Sequence, residues 1–391
     1  MRILYLSLVD LSMSSGPSVN ERGFLKDMAL RFGDRFLALV PRTKRPLPKD
    51  LDDVSIEFIS YVPGSKTIFG WLESRISGCF KAQLFINSFK PDVIVMRAGA
   101  LALPQYVVAR KNTSLPYFLK TAGGGDFNSF YNQNFMRRVI SGVNEIIFHF
   151  LIKNAQCIDV VSKMQVDSLS SCFPDSADKI FQIDNGVDTS LFNSEERVRV
   201  RERFGWGEQD VVLGYAGSQP YKRGAKELIH CVAAHKNEGV YGLVIGRLDN
   251  NDDCLSLAKS LGVEHLVTFT GEVDYTDVPD LMSTFDIGFS LRELNERSAS
   301  ELKVRQYIST GAFVIGTHGS NDFLEEMSLA SVLDDNIPEL ACEAVQQYLN
   351  MNFNVRYSLR NDAKNYAINH LSISKKNEER LALWWKYLAK D

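Results

Sequence analysis

The segment VVLGYAGSQPYKRGAKELI, residues 211–229, contains the unit from which the fold is predicted. A short apolar run ends at Gly217, a polar loop follows, and Gly224 opens a stretch with helical character. Short runs of this kind alternate with longer helical patterns along the chain, which is typical of a parallel sheet with crossover helices. The segment therefore predicts one strand, loop and helix of an α/β domain.

Strand-like runs occur in both halves of the chain. They are residues 2–8, 35–41, 54–60, 92–97, 117–122 and 157–162 in the first half, and 211–217, 241–247, 266–271, 286–291 and 313–317 in the second. They are dense in Val, Ile, Leu and Phe, as strands buried on both faces must be. The polar segment between the two sets, residues 185–210, is typical of a connection between domains. We predict an α/β fold of two doubly wound, Rossmann-like domains that face a cleft, with ligands beyond the carboxyl ends of the strands.

The end of the chain predicts an amphipathic helix. Its apolar residues recur at helical spacing, namely Leu381, Trp384, Trp385 and Leu388. We expect this helix, residues 371–391, to pack on an N-terminal domain of residues 1–198, and a C-terminal domain to span residues 199–370. A partner or a membrane surface is the alternative cover for its apolar stripe.

The composition bears on the class of protein. The 391 residues have a formal net charge of −4, and this balance gives no indication of a nucleic-acid partner. The six cysteines and six histidines show no metal-ligand spacing, and no apolar run reaches the roughly 18 residues of a membrane span. We expect a cytoplasmic protein without a metal or cofactor. The amphipathic stretch 135–154 is predicted to be a core helix, with peripheral contact at the inner face of the membrane as the alternative.

The loop of the 211–229 unit carries candidate phosphate ligands. Ser218, Lys222 and Arg223 lie between the predicted strand and the helix that Gly224 opens. Cations beside the free N–H groups of a helix start suit a phosphate-bearing ligand.

A second phosphate-seeking segment is RSASELKVRQYISTG, residues 297–311. Ser298 and Ser300 lead into a predicted helix, and Lys303 and Gln306 share one face of it. Two such segments in one domain predict a site for a diphosphate that is held without a metal ion.

The chain resembles GT-B glycosyltransferases, and in particular the retaining family-4 group that uses nucleotide-diphosphate sugars. Four stretches carry the resemblance: IDNGVDTSLFNS (183–194), LGYAGSQPYKRGAKELI (213–229), VTFTGEVDYTDVPDLMSTFDIGFSL (267–291) and VRQYISTGAFVIGT (304–317). The resemblance implies transfer of a sugar to a saccharide or lipid-linked saccharide, with retention. The absence of clustered metal ligands predicts that the transfer is metal-independent. The implied context is the synthesis of cell-surface polysaccharide, lipopolysaccharide or another glycoconjugate.

The donor-site pattern of the family is altered in this chain. Ser218 stands where the family usually has Arg, and Arg223 stands where it has Lys. The family's two glutamates, eight residues apart, are matched by spacing at Glu293 and Glu301. Counting back from Gly311 instead gives Ser298 and Gln306.

We favour the count from Gly311, because the junction of glycine and strand fixes where the helix ends. The resemblance then implies that Arg223 and Lys303 are catalytic, stabilising the diphosphate, and that Gln306 binds the ribose. Glu301 remains a donor-binding candidate, although its spacing to Arg305 predicts an exposed ion pair along the helix.

The first domain is expected to supply the acceptor side. Gly16 resembles the family's glycine loop near the donor sugar. Gly124 and Gly125 permit close backbone approach to a ligand, and Arg97 ends a strand where a polar acceptor would bind. Asp126 is the best-placed carboxylate and is a catalytic candidate.

Two alternative functions remain open. An inverting transferase would use Asp126 or Glu21 as a general base, whereas in the retaining scheme the leaving diphosphate takes the acceptor proton. A degenerate domain would bind a sugar nucleotide or a partner transferase without turnover.

Overall fold

The protein forms two compact units. The computed structural model describes residues 1–13, 15–43, 45–63, 68–99, 101–121, 135–193, 195–248, 253–292, 301–318, 323–324, 327–335 and 337–389. The first unit consists of Met1–Asp184 and Lys376–Asp391, and the second of Asn185–Lys375. The chain therefore passes between units at Asp184, earlier than the predicted boundary at residue 198, because Val187 and Phe192 are buried in the core of the second unit.

The first unit is built on a sheet of seven parallel strands in the order β3-β2-β1-β4-β5-β6-β7. The strands are β1 (Ile3–Leu6), β2 (Phe36–Val40), β3 (Ile56–Phe58), β4 (Val93–Ala98), β5 (Tyr117–Thr121), β6 (Cys157–Val160) and β7 (Ile180–Gln182). Every residue of β1, β4, β5 and β6 is buried. Helices cover both faces, as the apolar runs predicted; they are α1 (Gly16–Phe32), α2 (Ile68–Phe89), α3 (Leu103–Lys111), α4 (Phe135–Asn154) and α5 (Lys163–Cys172).

The last helix of the chain, α13 (Ile373–Leu388), lies on this sheet. The ring of Trp384 stacks on Phe118 of β5 with centroids 5.1 Å apart and planes 6° from parallel. Arg380 Nε donates to Asp159 Oδ2 on β6 at 2.7 Å. Trp384 is 1% exposed, whereas Trp385 is 49% exposed, so the predicted apolar stripe is only partly covered.

The second unit has a sheet of six parallel strands in the order β10-β9-β8-β11-β12-β13. They are β8 (Val211–Ala216), β9 (Val240–Ile245), β10 (Val267–Gly271), β11 (Ile287–Ser290), β12 (Phe313–Thr317) and β13 (Ala330–Leu333). Its helices are α6 (Arg197–Phe204), α7 (Ala225–Ala234), α8 (Asp253–Ser260), α9 (Val278–Ser283), α10 (Leu302–Ser309), α11 (Pro338–Leu349) and α12 (Phe353–Tyr366). Two doubly wound α/β units are thus confirmed. The strand order reverses beside β8 and β11, where such sheets bind ligands.

Within the described ranges, no helix is both long enough and apolar enough to cross a membrane. The predicted core role of α4 agrees with Ile147 and Leu151, which are buried among the first unit's apolar residues.

Candidate functional site

The loop between β8 and α7 brings Arg223 to the carboxyl end of the second sheet. Gln219 has a left-handed backbone conformation, with φ of 57°, and Gly224 turns the chain into α7 with φ of 120°. A Cβ atom at Gly224 would lie 3.2 Å from the Cβ of Phe289 and 3.3 Å from the backbone nitrogen of Leu291. The Leu291 N–H donates to the Arg223 carbonyl at 3.2 Å. Glycine at this position therefore lets the loop pack against the end of β11.

The start of α10 supplies the second part of the site. Glu301 is the N-cap residue of this helix and has an extended backbone conformation. Three cations surround its carboxylate: Arg292 Nε lies 2.8 Å from Oε1, Lys303 Nζ 3.7 Å from Oε2 and Arg223 Nη1 3.9 Å from Oε1. The Ser290 hydroxyl donates to Oε2. We call these five residues the Glu301 cluster.

The Glu301 cluster is largely shielded from solvent and carries an excess of positive charge. Its four charged side chains are only 13–18% exposed. Burial alone would raise the pKa of Glu301, but Lys303, Arg292 and Arg223 together lower that pKa below its ordinary value. Burial lowers the pKa of Lys303, which Glu301 opposes. Three cations on one carboxylate leave two formal positive charges, which a diphosphate would complement.

Aromatic residues hold α10 against β8. The Tyr307 hydroxyl of α10 accepts from the Ala216 N–H at 2.8 Å. A Cβ atom at Gly288 would lie 2.4 Å from a ring carbon of Tyr307, so glycine in β11 makes room for the ring. Lys303 Nζ lies 4.5 Å from the ring centroid of Tyr215, a cation–π contact. The packing of strands and helices therefore fixes the positions of the cluster's cations.

Arg292 and Ser290 are cluster members that the sequence analysis missed. Ser290 ends β11, and Arg292 follows two residues later. The backbone N–H of Arg292 donates to Thr317 Oγ1, at the end of β12, at 2.9 Å. Their position at the carboxyl end of a predicted strand, for Ser290, and just beyond it, for Arg292, is the signal that sequence could have supplied.

Gln306 lies on the same helix but makes a different contact. Its Nε2 donates to the Tyr275 hydroxyl at 3.3 Å, and the side chain is buried. The Tyr275 ring meets Phe192 edge-on, with centroids 6.0 Å apart. The assignment of Gln306 to the ribose stays a prediction.

The predicted exposed ion pair of Glu301 with Arg305 is wrong. Arg305 is 1% exposed, and its Nη1 donates to the backbone carbonyl of Glu301 at 3.1 Å. Its guanidinium lies 4.9 Å from the ring centroid of Phe323. Because Glu301 precedes the helix instead of belonging to it, its carboxylate points to the cations of the cluster.

The structure brings three predicted donor residues together, Arg223, Glu301 and Lys303. Ser218 and Lys222 are exposed in the same β8–α7 loop. Several other candidates lie outside the described residues, namely Gly124, Gly125, Asp126, Glu293, Ser298 and Ser300. Their roles stay predictions.

In the first unit, Arg97 lies at the end of β4 and is 6% exposed. It forms an ion pair with the fully buried Glu21 of α1, and Lys120 Nζ lies 3.6 Å from the same carboxylate. The Tyr5 hydroxyl also donates to Glu21. Arg97 is therefore engaged inside the unit, and acceptor binding by it stays a prediction. Gly16, at the first position of α1, is exposed.

The surroundings of Glu21 favour its ionised form. Burial alone would raise the pKa of this carboxyl, but Arg97 and Lys120, with the hydrogen bond from Tyr5, lower it. Burial in turn lowers the pKa of Lys120 to about 8. A carboxylate held this way stabilises its neighbours and is a weak proton acceptor.

The chain shares its fold with glycosyltransferases of low sequence identity. No family model matches it, and no curated protein matches it. Anabaena HepE in complex with UDP is 16% identical, with a TM-score of 0.71 over 99% of this chain and 100% of that one. WaaG, a glycosyltransferase involved in lipopolysaccharide biosynthesis, is 16% identical, with a TM-score of 0.68 over 96% and 98%. The catalytic domain of starch synthase IV from Arabidopsis thaliana, bound to ADP and acarbose, is 12% identical, with a TM-score of 0.75 over 99% of each chain. The fold is therefore the GT-B fold of these enzymes.

Proposed function

We propose that this protein is a glycosyltransferase that takes a sugar from a nucleotide-diphosphate sugar and transfers it, with retention, to a saccharide or lipid-linked saccharide. The observation that carries the proposal is the Glu301 cluster, a largely shielded site with excess positive charge at the carboxyl edge of the second sheet. UDP and ADP in the complexes of HepE and starch synthase IV support a nucleotide-diphosphate donor.

The proposed role of the cluster in the reaction is electrostatic stabilisation. As the bond between the sugar and the diphosphate breaks, negative charge grows on the leaving diphosphate. Arg223, Arg292 and Lys303 would stabilise that charge, and their packed positions reduce the cost of reorganisation. In the retaining scheme the leaving diphosphate accepts the acceptor proton, so the reaction needs no protein base. The three cations of the cluster would neutralise the diphosphate in place of a metal ion.

The inverting alternative requires a general base. Glu21 is disfavoured, because it is fully buried and its pKa is lowered by Arg97 and Lys120. Asp126 stays a candidate base, and Asp126→Asn separates the two schemes. The inverting scheme expects a loss of about 10²–10⁴-fold in transfer, whereas the retaining scheme expects most of the activity to remain.

Peripheral contact with a membrane is part of the proposal for a lipid-linked acceptor. Phe69, Leu72, Ile76, Phe80 and Leu84 follow one face of α2 and are 44–76% exposed. Exposed apolar patches of this kind mark interaction surfaces. Co-sedimentation with anionic lipid vesicles tests the proposed membrane contact. Phe80→Ser combined with Leu84→Ser should reduce binding to the vesicles. Unchanged binding would show that α2 is not the contact surface.

A turnover assay tests the proposed function. UDP-, GDP- and ADP-sugars are offered with saccharide acceptors in excess EDTA, and release of the nucleoside diphosphate is measured. Arg223→Ala and Lys303→Ala should each lower transfer by about 10²-fold, and the exposed Lys259→Ala on α8 should leave it unchanged. Donor binding without transfer or hydrolysis would favour the degenerate binding module. Loss of activity in EDTA with recovery on adding Mn²⁺ or Mg²⁺ would contradict metal independence.

A further inference from the structure

A cavity of about 500 Å³ lies between α6 and α12 in the second unit. It borders Asp286, the residue before β11, and thus lies at the amino edge of the second sheet. The Glu301 cluster lies at the opposite, carboxyl edge. Sites for small molecules occupy about 300–1,000 Å³, so the cavity has the size of a second ligand site.

The cavity is rich in cations, of which one is buried and three are half-buried. Arg197, Arg201, Arg356 and Arg360 line it, and we call it the arginine pocket. Asp286 binds three of them: its Oδ1 lies 2.6 Å from Arg197 Nη2 and 3.1 Å from Arg360 Nη2, and its Oδ2 lies 3.0 Å from Arg201 Nη1. Burial lowers the pKa of Arg197 to about 10, and the neighbouring guanidiniums add to this effect. One buried carboxylate does not neutralise four guanidiniums.

Arg356 differs from the other three arginines. Arg201 also donates to the carbonyls of Gly207 and Asp210, and Arg360 to that of Thr310. These bonds fix the two guanidiniums to the backbone. Among the residues that the structure describes, the guanidinium of Arg356 has only a cation–π contact, 5.8 Å from the ring centroid of Tyr348, and its buried Nε has no hydrogen-bond partner. An acceptor bound in the cavity, from water or from a ligand, would satisfy this donor.

Three acidic residues also line the arginine pocket. Glu202 and Glu208 are exposed to solvent, where water and salt screen their charge. The Asp210 carboxylate accepts the Gly207 N–H at 2.6 Å. The exposed acids therefore contribute little to the potential beside Arg356.

Aromatic side chains form the rest of the wall. The rings of Phe353 and Tyr357 are stacked, with centroids 6.4 Å apart and planes 26° from parallel. Tyr357 is 58% exposed, and Trp206 on the other side is 6% exposed. The exposed ring of Tyr357 and the half-buried ring of Phe353, beside guanidiniums, suit a ligand that joins an anionic group to a ring.

We propose that the arginine pocket is a second ligand site, which binds a small organic phosphate. The phosphate lies at Arg356, beside the charge of Arg360, and the organic body packs on Phe353 and Tyr357. A phosphate suits the several positive charges better than a single carboxylate does, because it carries up to two negative charges and three acceptor oxygens.

Calorimetric titration of the full chain with phenyl phosphate tests the proposal. Arg356→Ala should weaken binding about tenfold or more, the value of a hydrogen bond to a charged group, and Arg356→Gln should weaken it as well. Arg199→Ala, an exposed control on α6, should bind like the wild type. Tyr357→Ala should weaken phenyl phosphate and leave inorganic phosphate unchanged, a result that a general loss of folding would not produce.

Lys303→Ala distinguishes this pocket from the Glu301 cluster. Binding of phenyl phosphate should persist in that variant. Loss of binding in Lys303→Ala, equal binding in wild type and Arg356→Ala, or no binding to the wild type would each overturn the proposal. Benzoate binding more tightly than phenyl phosphate would overturn the assignment to a phosphate.

Discussion

Two carboxylates of the second unit each hold three cations, at opposite edges of one sheet. At the amino edge Asp286 binds three arginines, which come from α6 and α12 and also donate to backbone carbonyls. At the carboxyl edge Glu301 binds Arg223, Arg292 and Lys303, which come from the β8–α7 loop, the end of β11 and the start of α10. The composition of the two groups is similar, but their settings differ.

The difference teaches how to separate an ion cluster that stabilises the fold from an ion cluster that binds the donor. Asp286 accepts an additional bond from the Val212 N–H at 2.9 Å, and its arginines tie two helices to the end of the sheet. Glu301 lies where parallel sheets bind ligands, and its cations come from segments that end there. We therefore propose that Asp286 stabilises the fold and that the Glu301 cluster binds the diphosphate.

The largest expected effect is on stability, from Asp286→Asn. Removing the carboxylate leaves buried guanidiniums without their counter-ion, and we expect a loss of about 3–5 kcal/mol in the free energy of unfolding. Denaturant titration measures it, with the exposed Asp253→Asn as the matched control. A loss below about 1 kcal/mol would contradict the structural role.

The pH dependence of stability, compared between wild type and Asp286→Asn, gives a second test of this role. Arg197, Arg360 and Arg201 overcome the effect of burial and hold the pKa of Asp286 well below its usual range. The ionised carboxylate therefore contributes stability that is complete above the unfolded value of about 3.9 and is lost as pH falls through the folded value. The stability gap between wild type and Asp286→Asn should narrow below about pH 4, and a constant gap would contradict this assignment.

An intermediate effect is expected from Glu301→Gln, the equivalent change at the other edge. It should cost about 1.5–3 kcal/mol of stability, because hydrogen bonds to a charged group are lost. It also adds one formal positive charge to the cluster, so the affinity for a nucleoside diphosphate should be kept or increased. Denaturant titration and calorimetry on one preparation measure both. Collapse of nucleotide affinity would instead make Glu301 a direct ligand.

The strand pattern predicted eleven of the thirteen strands described here. It missed two short strands at the sheet edges, β7 (Ile180–Gln182) and β13 (Ala330–Leu333). At an edge, the apolar content of a strand and the regular spacing of its apolar residues are weakest. The buried central strands need continuous apolar runs. These runs are visible in the sequence, and both Rossmann-like units were predicted from them.

The site was predicted less well than the fold, for physical reasons. Arg223 and Lys303 were predicted because they adjoin helix starts, and the structure places both near Glu301; their function stays a prediction. The contact of Glu301 was missed because the i, i+4 rule applies inside a helix, and Glu301 precedes α10. The partners of Asp286 are 74–89 residues away in the sequence, so no local pattern reveals them.

The smallest expected effect concerns Gln306. Gln306→Ala should weaken nucleoside diphosphate binding by about 0.5–1.5 kcal/mol, the net value of one hydrogen bond, if its amide meets the ribose. Gln306→Glu should bind as well or better, since a carboxylate accepts more strongly. The exposed Gln346→Ala is the control. Equal affinity in wild type and Gln306→Ala would remove Gln306 from the site.

The central claim is that the Glu301 cluster holds the diphosphate of the donor. The most direct measurement is a calorimetric comparison of UDP, GDP and ADP with their nucleosides, on wild type, Lys303→Ala and the control Lys259→Ala. We predict that Lys303→Ala weakens the tightest diphosphate by about tenfold or more and leaves its nucleoside unchanged, while Lys259→Ala changes neither. Unaltered diphosphate affinity in Lys303→Ala, or an equal loss for diphosphate and nucleoside, would contradict the claim.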